Sequence, residues 1–64
     1  MEWFWKVDGL LDEILTERRK ATRVRGQMDD ALVRHDYSEF KRRSKEFSAI
    51  YDRIHSLEAE LFAA

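Results

Sequence analysis

The chain has no cysteine, no proline, only two glycines, and no apolar run longer than four residues. Each absence excludes something. Without cysteine there is no disulfide to staple a 64-residue fold and no thiolate for catalysis, which fits a reducing compartment. Without a long apolar run no segment spans a bilayer. The stretch Met1 to Asp8 has an acid at position 2, no basic lead, and an apolar run that stops after three residues. A secretory signal is therefore not expected there. The expectation is a cytoplasmic, soluble protein with no membrane partner. Catalytic motifs are missing too: no G-x-S-x-G, no P-loop and no H-E-x-x-H.

What is present is helical periodicity. From Trp3 to Ala31 apolar residues recur at intervals of four and three: Trp3, Val7, Leu10, Ile14, Ala21, Val24, Met28 and Ala31. Only Glu17 breaks the series, while Phe4, Leu11 and Leu32 widen it on one flank. Gly26 costs about 1 kcal/mol relative to alanine and allows a local kink. One helix over about 3–33 is the better reading.

A polar interruption follows, Arg34-His35-Asp36-Tyr37-Ser38, and within it Asp36-Tyr37-Ser38-Glu39 has the D-x-x-E form of a capping box. There the Asp36 carboxylate accepts from first-turn amides while Glu39 reaches back to the cap. Beyond it Phe40, Phe47, Ile54 and Leu61 are seven apart, flanked by Tyr37, Ile50, Tyr51 and Leu57. Seven-residue spacing holds one stripe toward a nearly parallel neighbour. The expected fold is all-α, one domain over 1–64, an antiparallel hairpin of helices at about 3–33 and 37–62. A reversal near residue 35 sets Ala21 opposite Phe47, Ile14 opposite Ile54 and Val7 opposite Leu61.

Two helices make a thin core. A domain of this size buries only about 60% of its unfolded surface and needs a staple. With disulfides excluded and two histidines poor material for a metal, oligomerisation remains. The expected solution is a homodimer forming an antiparallel four-helix bundle. Trp3, Phe4 and Trp5 cannot all face one neighbour, since consecutive residues diverge by about 100°. They either close the open end of the bundle against Leu61 and Phe62 or dock a partner.

The near-neutral net charge of −1 hides a segregation. Residues 18–45 carry ten basic and four acidic side chains, a net of +6; the remainder carries two against nine, a net of −7. Folding at residue 35 collects the first group at the loop end and the second at the end holding the chain termini. Three readings follow: a solvated surface with local ion pairs, self-association of basic on acidic halves, or nucleic-acid binding. The last is disfavoured, because no glycine-rich or stacking-aromatic pattern interleaves the cations and the isoelectric point is about 6.1.

No constellation for catalysis, cofactor or metal emerges. His35 and His55 stand about 30 Å apart along a helix. Asp52, His55 and Glu58, one turn apart, read better as a solvated face than as a metal site.

Around the interruption, Met28-Asp29-Asp30-Ala31-Leu32, then the aspartate cap, Phe40 and Ser44-Lys45-Glu46-Phe47, resemble the IDEAL domain of Bacillus-type bacteria. That module is named for the string Ile-Asp-Glu-Ala-Leu, of which Met28 to Leu32 keeps three letters. The resemblance covers Met28 to about Arg53 and leaves the aromatic N-terminus aside. It implies an interaction domain attached to regulatory proteins, in spore-forming bacteria or their phages, and carries over no site residues. The expected function is a non-enzymatic, regulatory protein–protein interaction module acting as a hairpin dimer. Its partner-binding residues would be Trp3, Phe4, Trp5, Arg18, Arg19, Arg23, Arg42 and Arg43. The alternative is a nucleic-acid-binding hairpin dimer using the basic half.

Overall fold

A computed structural model describes residues 2–63, with side chains described from Phe4 onward. Two helices, α1 (Glu2–Val33) and α2 (Tyr37–Ala63), pack side by side as an antiparallel hairpin. The expected boundaries hold within a residue, and α1 runs through Gly26 as one helix. The rod measures 51 × 14 × 11 Å. Its radius of gyration of 14.9 Å exceeds the roughly 11 Å of a compact domain of this length.

The seam is the four-three series read from the sequence. Leu10, Ile14, Ala21, Val24 and Ala31 of α1 are buried with Ile54 and Leu57 of α2. Leu10, Ile14 and Leu57 form one cluster, with Leu61 packed against it. Glu17, where the series breaks, is only 9% exposed. Its carboxylate stays in the seam because Lys20 Nζ lies 3.2 Å and Arg53 Nε 3.5 Å from Oε1. Arg53 also reaches Glu13 at 3.9 Å, so α2 is tied across at the level the expected register requires.

The joint is tighter than its sequence advertises. The Asp36 amide donates to the Ala31 carbonyl at 2.8 Å and the His35 amide to Leu32 at 3.0 Å. These are the two bonds of a Schellman ending, with His35 left-handed at φ 58. Asp36 then begins α2: its Oδ1 accepts the Glu39 amide at 3.1 Å and its carbonyl accepts the Phe40 amide at 3.0 Å. One residue thus closes α1 and caps α2. The capping box is only half made. Glu39 does not reach back, because the Asp36 amide it would accept is already bonded to Ala31. Its carboxylate turns to Arg43 and Arg42 instead.

The chain carries glycine where a helix wants alanine, and histidine where a turn wants glycine. A Cβ added at Gly26 meets nothing within 4 Å. Gly26→Ala is expected to stabilise by about 1 kcal/mol. His35→Gly relieves the left-handed backbone for a similar gain, partly offset by loss of the 3.2 Å hydrogen bond between His35 Nδ1 and the Tyr37 hydroxyl. Each raises the melting temperature by about 4–8 °C in a domain this small. Thermal melts followed by circular dichroism at one fixed protein concentration check both; no rise for either contradicts this account of the joint and of α1.

A candidate docking surface on one flank of the hairpin

Residues seven apart share a line along a helix, and four such lines border the seam. On α1, Phe4, Leu11, Arg18, Arg25 and Leu32 form one line; Lys6, Glu13, Lys20 and Gln27 form the other. On α2 the lines are Tyr37, Ser44, Tyr51, Glu58 and Glu39, Glu46, Arg53, Glu60. Ion pairs decide which lines share a side. Arg18 Nη2 reaches Glu58 Oε2 at 3.6 Å, joining the two lines that contain the apolar residues. Arg53 reaches Glu13, joining the two lines that contain none.

The hairpin therefore has two unlike flanks. The charged flank is laced by Glu13, Glu17, Lys20 and Arg53, and further along by Arg43, whose Nε lies 2.8 Å from Glu39 and Nη1 3.0 Å from Glu46. The other flank exposes Phe4, Leu11, Leu32 and Tyr37, with Leu15 and Phe62 at its margins. Phe47 and Tyr51 meet along its middle with centroids 4.7 Å apart and planes tilted by 46°, and His55 meets Tyr51 edge-on at 6.2 Å.

The aromatic N-terminus divides between surfaces. The Trp3 side chain lies outside the described residues. Phe4 stands on the apolar flank, 63% exposed. Trp5 falls on the back of α1, on the line of Asp12, Arg19, Gly26 and Val33, and is 78% exposed. Phe62 is 84% exposed. Neither Phe4 nor Trp5 is buried at the end of this hairpin, whereas Leu61 packs against Leu10, Ile14 and Leu57.

The five arginines do not form one patch. Arg18 is held by Glu58, Arg42 by Glu39, and half-buried Arg43 by Glu39 and Glu46. Arg19 lies on the back of α1, and both it and Arg23 are exposed with no acid in ion-pair reach among the described residues. Lys41 and Lys45, absent from the expected set, line a shallow depression of about 330 Å³ with Ser38 and Arg42. The signal for them was their four-residue spacing on the outer side of α2.

The hydrogen bond from Arg43, ahead of the nearby Arg42 and Arg43 charges, holds the Glu39 carboxyl below its ordinary value, while Glu39 and then Glu46 push Arg43 up. A carboxylate with a depressed folded-state value stabilises above its unfolded pKa of about 4.5 and loses that contribution as pH falls through the folded value. Glu39→Gln is thus expected to flatten the loss of stability below about pH 4.5. Urea midpoints across pH 2–7 measure it, and an unchanged slope sinks the assignment.

Among the described residues no group of three or more His, Cys, Asp or Glu could hold a metal, and no helix is long and apolar enough to cross a membrane. Comparison with family models, with curated proteins and with solved structures found no match.

Proposed function

We propose that this chain is a protein–protein interaction module rather than an enzyme: a helical hairpin that dimerises into a four-helix bundle and binds another protein. The observation that carries this reading is the contrast between flanks. One is closed by ion pairs, and the other leaves Phe4, Leu11, Leu15, Leu32 and Tyr37 in water. Its surface of 5129 Å² exceeds by about 800 Å² the roughly 4,300 Å² of a compact protein of 7.7 kDa. That excess equals the area each partner buries in an interface of standard size, about 800 Å².

In such a dimer Trp5 stays outside, on the back of α1, as an aromatic anchor for a further protein. A regulatory role rests on the resemblance carried by Met28 to Arg53 alone. Sedimentation equilibrium at micromolar concentration tests the first half: a mass near twice 7.7 kDa is expected, and a folded monomer overturns it.

The nucleic-acid reading has one observation in its favour, the shallow basic depression lined by Lys41, Arg42 and Lys45. Three of the five expected arginines are already engaged by carboxylates, which weighs against it. Binding to generic RNA that weakens steeply with salt would favour it.

A further inference from the structure

We infer that the apolar flank is covered by a second copy of this chain lying in the opposite direction, its loop end beside the first copy's chain termini. The inference rests on the dimer proposed above and specifies its face and polarity. Two hairpins can stack their apolar flanks in two ways. A two-fold axis along the rod puts both loops at one end; a two-fold axis across it puts them at opposite ends.

Charge selects the second. Residues 18–45, toward the loop, carry +6 and the remainder −7, and the rod is 51 Å long, several screening lengths. Loops together set +6 beside +6 and −7 beside −7. Loops apart set each group against its complement at both ends. The apolar residues also match in that arrangement. The flank exposes apolar side chains toward both ends, Phe4 and Phe62 at one and Leu32 and Tyr37 at the other, so reversal brings the two sets level with each other. α1 then crosses its own counterpart in reverse, with Leu11 level with Arg25, and Tyr51 near the midpoint meets its counterpart. The charged flank, with Glu17 and Arg53 already paired within the chain, stays outward. No other occupant draws on both the end-to-end charge split and the apolar side chains toward both ends.

The absence of cysteine makes a single label site easy to introduce. Ser38 is exposed on the outer side of α2, about 20 Å from the rod's midpoint at 1.5 Å per residue. Ser38→Cys carrying a nitroxide label is measured by pulsed dipolar spectroscopy, with sedimentation equilibrium on the same sample. Opposite polarity gives a label separation of about 40 Å or more, and loops together gives less than about 30 Å. Raising salt from about 50 to about 500 mM is expected to weaken the dimer at least tenfold, because the attraction is between exposed charges. A dimer with the short separation, or one that tightens with salt, overturns the polarity and leaves the proposed dimer standing. A monomer by sedimentation overturns the dimer itself.

Discussion

Replacing Leu11 and Leu15 together by lysine is expected to dissociate the dimer while leaving the hairpin folded. Both side chains are largely exposed in the single chain, 42% and 52%, so the hairpin loses little packing of its own. Lysine is nearly as good a helix former as leucine, and Asp8 and Asp12 nearby offset the added charge. Between copies the loss is large. Burying a leucine contributes about 1.5–3 kcal/mol, and the change removes two per copy. In the opposed arrangement it also sets a lysine level with Arg25 of the second copy. At least a hundredfold weaker association follows, since about 1.4 kcal/mol is a factor of ten. Sedimentation equilibrium reads the association and circular dichroism the helicity. Trp5→Ala, on the back of α1, leaves association unchanged in the same experiment. If the lysine pair associates like the parent chain, the apolar flank is not the interface.

Ile54→Ala is expected to be the most destabilising single truncation in the chain. Among the described residues seven apolar ones are buried, two of them alanines, and Ile54 is the largest side chain almost completely out of water. Truncating a buried isoleucine to alanine costs about 2–5 kcal/mol. At about 0.05–0.15 kcal/mol per residue, a chain of this length has only about 3–10 kcal/mol to lose. Much of the population is then expected to be unfolded at 25 °C, where the parent is expected to be folded. Val33→Ala, at a site that is 78% exposed, shifts stability by less than about 0.5 kcal/mol. A melting temperature within a few degrees of the parent for Ile54→Ala would mean that the seam is not where cohesion resides.

The hairpin was legible because three signals agreed. The series from Val7 to Ala31 and the seven-spaced Phe40, Phe47, Ile54 and Leu61 each mark one stripe, and a polar joint separates them. Glu17 could be read as a flaw in that stripe but not as a buried carboxylate met by half-exposed cations. Its partner Arg53 lies 36 positions away, and only the packed register brings them together. The Schellman ending was hidden because His35, not glycine, occupies the left-handed position. Glu39 misled for a related reason: the box motif presumes a free amide at the cap, and here Ala31 had claimed it.

The candidate surface was half legible. Phe4, Leu11 and Leu32 already stood out as a widened edge on the first helix. Whether Tyr37 and Tyr51 join them or lie on the far side depends on how α2 is rotated after the turn. The Arg18–Glu58 contact resolves that. The arginine cluster, by contrast, was a grouping in sequence that helical geometry disperses around the rod.

Because Asp36 serves both helices, the link between Val33 and Tyr37 has no slack. Adding one residue there would advance α2 by about 100° while leaving α1 where it is. Tyr37, Ser44, Tyr51 and Glu58 would swing out of line with Leu11 and Arg18, and Arg53 would lose Glu13. The joint therefore works as an indexing pin that keeps two packed cylinders in phase, and its length is as much a part of the surface chemistry as any side chain displayed there.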